Sequence, residues 1–199
     1  MQPLLTILIP TVVGREAEVD RLIGNIDLQC SILFVHNEVE VIQLKDNKEI
    51  TIGEKRERLY KMANGLFSWQ IDDDDAIAPD AIETILSVII GNTHIPCITF
   101  RENCMMNGEY KSSNHSIKYD RWADNFDGYD YTRCPFYKDV IRTDIAQSIP
   151  FEYIRYNEDE KFSMAIKPLL TDEAHIDKEI YFYIYEPKDT HEERYGLSK

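Results

Sequence analysis

The chain has 199 residues, with 22 Lys+Arg against 36 Asp+Glu for a formal net charge of −14, and 43% of its positions are hydrophobic. Such a composition excludes a disordered tail, and the length allows one sizeable core without disulfide staples. The acidic balance argues against free-standing affinity for nucleic acid or anionic membrane, since both demand cations that release counterions.

Cys30, Cys97, Cys104 and Cys134 form no CxxC and no Cys/His cluster, so they read as reduced structural thiols and not as zinc ligands. No stretch reaches the about 20 apolar residues that span a bilayer, and the chain opens on a strand-like run instead of a leader peptide. The expectation is a soluble, cytoplasmic, single domain over residues 1–199.

In chain order, Leu4 to Ile9 is almost uniformly apolar and stops at Pro10, which suits a strand buried on both faces of a parallel sheet. Val19, Leu22, Ile23 and Ile26 follow at helical spacing, predicting a helix from about Arg15 to Ile26. Two apolar runs, Ile32 to Val35 and Val41 to Leu44, offer one or two strands before a polar loop from Lys45 to Glu49. Leu59, Met62, Ala63 and Leu66 mark a second helix within Gly53 to Asn64, with Gly65 placed where a left-handed cap belongs. Phe67 to Ile71 reads as the next strand, Asp72 to Asp75 as a loop, and Ile82, Ile85, Leu86 and Ile89 as a third helix starting near Pro79. This βαβαβα alternation predicts an α/β fold whose mostly parallel, Rossmann-like sheet is flanked by helices.

Past Ile95 the pattern loosens: a strand at Cys97 to Phe100, a hairpin turn at Asn107-Gly108, and then a stretch rich in Tyr, Trp and Asp up to Tyr137. Helical spacing returns with Phe162, Ala165, Ile166 and Leu169, followed by a strand from Ile180 to Tyr185. Residues 1–101 thus read as a nucleotide-type half and residues 102–199 as a smaller mixed half.

Asp72, Asp73, Asp74 and Asp75 directly follow a predicted central strand, at the carboxyl end of the sheet where open α/β folds bind ligands. If strand geometry continued, Asp72 and Asp74 would share a face, and paired carboxylates invite a hard divalent cation such as Mg²⁺ or Mn²⁺. A solvated acidic turn is the plainer alternative. An EF-hand fails because Ala76 and Ile77 replace a ligand and the glycine. Neither a dinucleotide fingerprint nor a P-loop is present.

Four blocks in order, LTILIPT with Arg15, ITIGEKRERL, IDDDDAIAPDAIETIL and YNEDEKFSMAI, resemble the short single-domain members of family 2 glycosyltransferases of GT-A fold. The resemblance implies inverting, metal-dependent transfer of a sugar from a nucleoside diphosphate, UDP by preference, to an acceptor hydroxyl. It places Asp72 near the donor ribose, Asp73 within the same donor loop, Asp74 as the direct metal ligand, and Asp75 acting through water or a sugar hydroxyl. Thr11 and Arg15 would contact the nucleoside, although Thr11 could equally cap a helix. Asp46 matches the aspartate that accepts the uracil N–H, with Asn37 a competitor. Lys55 and Arg56 match a pair that faces base and phosphates, the alternative being ordinary surface cations. Asp159 in NED resembles the general base, with an acidic first helical turn as the plain alternative. His191 lies where some GT-A enzymes carry a third metal ligand on a closing loop.

On the acceptor side, Tyr119, Trp122, Tyr129, Tyr131 and Tyr137 could form a stacking platform or the core of the second half. A glycan or another hydroxyl compound is the expected acceptor; a modified nucleic-acid base is conceivable but disfavoured by charge. Rival readings are a nucleotidyltransferase or nucleotide-sugar hydrolase on a related sheet, and a catalytically silent module that binds metal or carbohydrate.

Overall fold

A computed structural model describes residues 2–185. The chain runs through β1 (Leu5–Val12), α1 (Glu16–Leu33), β2 (Val39–Asp46), α2 (Ile52–Met62), β3 (Phe67–Gln70), β4 (Ala76–Ile77) and α3 (Ala81–Gly91). It continues with β5 (Cys97–Met106), β6 (Glu109–His115), β7 (Ala123–Phe126), β8 (Tyr129–Arg133), β9 (Val140–Arg142), α4 (Thr143–Ser148), α5 (Glu158–Ile166), a short 3₁₀ turn and β10 (Glu173–Tyr185).

The strands form one sheet in the order β2-β1-β3-β9-β5-β6-β8-β7, with β10 pairing β5 and the short β4. The longest pairings, β1 with β2 and β5 with β10, are parallel, and β3 joins β1 in parallel. Between β3 and β5 lies β9, antiparallel to both. The architecture is α/β, with helices flanking the sheet.

Alternation along β1 explains both layers. Leu5, Ile7 and Ile9 face a core with Leu22 and Ile26 of α1, Ile82, Ile85 and Ile89 of α3, and Trp69 and Phe100. Leu8 faces the opposite core, with Leu59 and Tyr60 of α2, Phe162 and Ile166 of α5, and Phe151. There the Phe151 and Phe162 rings stack at 4.2 Å between centroids, and Tyr60 stacks on Phe162 at 5.7 Å. Since β1 is buried on both sides, its ends are fixed, and so is the loop that leaves its carboxyl edge.

Three local expectations need correction. The first helix does not stop near Ile26: α1 continues to Leu33 because Cys30 and Leu33 extend its core-facing stripe, so of the two apolar runs only Val41 to Leu44 lies in a strand, β2. Gly65 adopts no positive φ; it is needed because a Cβ there would lie 2.7 Å from the Thr6 backbone nitrogen and 2.8 Å from the Leu5 carbonyl carbon. The loop Asp72–Asp75 does not keep strand alternation but folds into a turn in which the Asp75 N–H donates to the Asp72 carbonyl at 3.1 Å. Asn107 (φ 56°) and Gly108 (φ 81°) do form the expected turn, joining β5 to β6.

Candidate active site

The carboxyl ends of β1, β2 and β3 bring Thr11, Asp46 and the Asp72–Asp75 turn together, and the first turns of α2 and α5 add Lys55, Arg56, Glu158 and Asp159. Because the chain turns at Asp72, each aspartate meets a different partner. Asp72 accepts two hydrogen bonds from the Arg56 guanidinium, at 2.9 and 3.2 Å, and one from the Tyr137 hydroxyl at 2.8 Å. Burial alone would raise its pKa, but the adjacent Arg56 cation outweighs it and the carboxyl is held below the usual range.

Asp73 is only 2% exposed; it accepts the Thr11 hydroxyl at 2.6 Å and the Arg15 guanidinium at 2.5 Å. Burial lifts its pKa against those two donors. Asp75, 1% exposed, accepts from the Tyr181 hydroxyl at 2.6 Å and from the Ile184 N–H at 3.0 Å, and burial pushes its pKa up to about 7 although Lys138 opposes the shift. Asp74 differs from the other three. Its side chain is 45% exposed, one oxygen accepts from Arg15 at 3.0 Å, and Oδ1 has no donor among the described residues.

Thr11 therefore caps no helix, since α1 starts at Glu16 without a side-chain cap. Arg15 crosses from the start of α1 to the acidic turn. Beside them a cleft of about 180 Å³ is lined by Thr11, Arg15, Glu16 and Lys45. Asp46 ends β2 and pairs with Lys55, whose ammonium also donates to the Thr11 carbonyl at 2.6 Å. Asn37 is exposed at the opposite end of β2, so it is no competitor for that position.

Lys55 and Arg56 are not surface cations: both side chains are 4% exposed. Nor does Arg56 face open solvent where phosphates would arrive. It lies 3.4 Å above the Tyr137 ring, between Asp72 and Glu158, whose carboxylate accepts at 3.3 Å. Burial opposes its charge, yet Asp72, Tyr137 and Glu158 together raise its pKa well above the ordinary value.

In the first turn of α5, Glu158 is buried against Arg56 and Glu160 is exposed. Between them Asp159 is half-buried and near enough to Tyr137 to contribute to raising that phenol's pKa. Tyr137 itself donates to Asp72, so the α5 first turn and the acidic turn share this phenol as a neighbour. His191 lies outside the described residues. Of the aromatic platform, Tyr119 and Tyr137 are buried, while Trp122, Tyr129 and Tyr131 are half-buried; the Arg133 guanidinium lies 5.0 Å from the Trp122 ring and 4.9 Å from Tyr131.

Sequence reasoning missed Tyr181 and Lys138. Tyr181 ties both ends of the acidic turn, accepting the Asp72 N–H at 3.1 Å while donating to Asp75. Its signal was faint, a tyrosine in a strand more than 100 positions away. For Lys138 the hint was a Lys-Asp pair inside an otherwise apolar and aromatic segment, CPFYKDVI.

Among solved structures the chain is similar to S. aureus TarS, residues 1–349, with a TM-score of 0.63 and 18% identity over 92% of this chain and 60% of that one. The complex of the same protein with UDP-GlcNAc matches with a TM-score of 0.65 and 16% identity, over 95% of this chain and 60% of that one. The mannosyltransferase PcManGT from Pyrobaculum calidifontis, in complex with GDP-Man and Mn²⁺, matches with a TM-score of 0.57 and 9% identity, over 98% and 60%. The fold is of the GT-A type. This chain spans about 60% of the length of each of those neighbours. No protein-family model matches it, and no curated protein matches it by sequence.

Proposed function

We propose that the chain is a family 2-type glycosyltransferase that moves a sugar from a nucleoside diphosphate, UDP by preference, to an acceptor hydroxyl with inversion. The observation that carries this reading is the convergence of Thr11, Arg15, Asp46, Lys55 and the Asp72–Asp75 turn at the carboxyl edge of β1, β2 and β3, where Glu158 of the α5 first turn also pairs with Arg56. Neighbours sharing the fold bind UDP-GlcNAc in one case and GDP-Man with Mn²⁺ in another, which supports a nucleotide-sugar donor. Residues 1–101 supply the donor half in this reading, and residues 102–199 the acceptor half.

The donor set fits a divalent ion held jointly with a ligand. Among the described residues no group of three or more His, Cys, Asp or Glu is arranged to hold a metal. Asp74, one of whose oxygens meets no donor among the described residues, offers an accessible carboxylate, and Mg²⁺ or Mn²⁺ is commonly held by one or two carboxylates together with phosphate oxygens and water. A bound ion would neutralise charge on the departing diphosphate. Whether His191 contributes belongs to the same proposal.

The chain's own groups do the rest. Arg15 lies at the edge of the cleft, where its guanidinium can pass from Asp73 and Asp74 to an incoming diphosphate. Asp46, fixed by Lys55 and by the Ile50 N–H at 3.1 Å, presents an acceptor toward a pyrimidine N–H. Asp159 takes the proton from the acceptor hydroxyl as it attacks, while Glu158, held by Arg56, anchors the helix that carries it.

Calorimetry with UDP and with GDP, each with and without Mn²⁺, followed by nucleotide release from a panel of nucleotide sugars, tests the reading. Asp74→Asn should abolish metal-dependent binding, and Asp159→Asn should lower turnover at least about 100-fold with donor affinity retained. Metal-stimulated turnover in Asp74→Asn, or near-normal kcat in Asp159→Asn, removes those assignments. Binding without turnover in the presence of acceptors would favour a silent module.

A further inference from the structure

Beneath the acidic turn runs a line of buried charges with no part in the mechanism above. Asp139, fully buried, approaches His115 Nδ1 at 3.1 Å; His115 Nε2 approaches Glu102 at 3.3 Å; and Glu102 accepts from the Lys138 ammonium at 2.7 Å. The line ends at Asp75, 3.7 Å from that ammonium. Lys138 is 5% exposed and covers two aromatic faces, at 3.8 Å from the Tyr183 centroid and 4.7 Å from that of Tyr181. Its carbonyl accepts the Trp69 indole N–H at 2.6 Å, which fixes its backbone to β3, the strand from which the turn departs.

We propose that Lys138 is a positioning residue for the donor site: anchored by Glu102, it is the internal counter-ion that fixes Tyr181 and Asp75 and thereby sets the turn that presents Asp74. The proposal rests on the glycosyltransferase reading. Four adjacent aspartates repel one another, and a turn that brings them together needs a cation for each member that is not exposed. Arg56 answers Asp72, and Arg15 answers Asp73. Arg21 donates to the Asp74 and Asp75 backbone carbonyls at 3.1 and 3.0 Å, and the cation paired with the Asp75 carboxylate is Lys138, at 3.7 Å. The Tyr181 hydroxyl transmits the restraint, because it holds the Asp75 carboxylate and the Asp72 N–H at once. The Lys138 ammonium lies on the core side of that carboxylate, next to Glu102, which suits support and not contact with a diphosphate.

The single variant Lys138→Met leaves buried Glu102 with His115 as its remaining cationic neighbour and risks unfolding, so the informative variant is the double Glu102→Gln/Lys138→Met, which removes both members of that ion pair. Neutral replacement of a buried pair is often tolerated. A second variant, Tyr181→Phe, removes only the bridging hydroxyl. Both are expected to keep their circular dichroism spectra while their dissociation constants for UDP or GDP in Mn²⁺ rise about tenfold for the double and about threefold or more for Tyr181→Phe. The ratio of affinities with and without Mn²⁺ should fall in step, which a purely structural role would leave unmoved. If the double variant does not fold, Tyr181→Phe decides. Folded variants that bind both nucleotides within twofold of the unmodified chain, with the same Mn²⁺ ratio, overturn the proposal alone. No binding of either nucleotide by the unmodified chain overturns the functional reading and this proposal with it.

Discussion

Replacing Arg56 with Met tests the hub of the site. The guanidinium is buried, makes two hydrogen bonds to Asp72 at 2.9 and 3.2 Å, reaches Glu158 at 3.3 Å and lies 3.4 Å over Tyr137. Met fills much of the same volume but leaves two carboxylates in a low-dielectric pocket without their cation. Breaking a buried pair by removing one partner costs about 3–5 kcal/mol. For a domain of this size that corresponds to a melting temperature lowered by roughly 6–20 °C. Adding Asp72→Asn in the same chain removes one stranded charge and should recover part of the loss, giving a coupling energy on the order of 2 kcal/mol in a double-mutant cycle. Urea denaturation of the four proteins measures it. Arg56→Lys should fall between, since an ammonium cannot reproduce the planar fork. If Arg56→Met costs less than about 1 kcal/mol, or if the two substitutions simply add, the guanidinium is not the link between the acidic turn and α5.

Two further outcomes follow from the geometry. At Gly53 an alanine would ordinarily strengthen α2 by nearly 1 kcal/mol, but here its Cβ would overlap the Glu152 carbonyl oxygen and lie 3.5 Å from the Glu158 Cβ. The expected result is instead a loss of about 1–3 kcal/mol and a lower kcat with donor affinity kept, because the segment leading into α5 must move; a stabilised variant of normal kcat would show that this approach is unimportant. His115 sits between Asp139 and Glu102; burial opposes its charge, but the two carboxylates raise its pKa to about 9 from the ordinary 6.5. A folded-state pKa raised in this way contributes stability that is fully present below about 6.5 and is lost as pH rises through about 9. The contribution is on the order of 3 kcal/mol, so the cost of His115→Gln in urea denaturation should shrink between about pH 6 and pH 9.5, and a cost independent of pH would refute the assignment.

Much of the scaffold was legible because its first half obeys simple periods. A strand buried on both faces, β1, announces itself as an unbroken apolar run, and the stripe of α3 repeats at helical spacing to its end. In α2, by contrast, only Leu59 of the expected stripe faces the core from within the helix: Met62 is exposed, Leu66 lies past the helix end, and Lys55, Arg56 and Glu57 share the buried face with Leu59 and Tyr60. The end of α1 was misread where Ile32 to Val35 forms an apolar run too short for periodicity to classify. From β6 to β8 the pattern fails for a different reason: burial along β7 and β8 is partial and does not alternate, so neither period stands out. Within the site, Asp72–Asp75 could be located because a strand must end where the charges begin. Their individual partners could not be read, since Arg56, Tyr137, Lys138 and Tyr181 reach the turn across long separations in sequence that no local spacing encodes.

The structure also changes what four consecutive aspartates mean. As a sequence they resemble a multidentate cation site, but packing assigns three of them to internal partners: Asp72 to Arg56, Asp73 to Thr11 and Arg15, and Asp75 to Tyr181 beside Lys138. Among the described residues, only Asp74 of the four keeps an exposed carboxylate with an oxygen that no donor reaches. A single carboxylate is a poor holder of a divalent cation in water and a good one when phosphate oxygens complete the sphere. Nucleotide and metal should then bind as one unit, each raising the affinity of the other by the same factor, as linkage between two ligands requires. The surplus aspartates are what make this possible. By drawing Arg56, Arg15 and Lys138 around the turn, they leave the Asp74 carboxylate exposed beside Arg15, the most exposed of the three cations and the one that, in the proposed reading, meets a diphosphate.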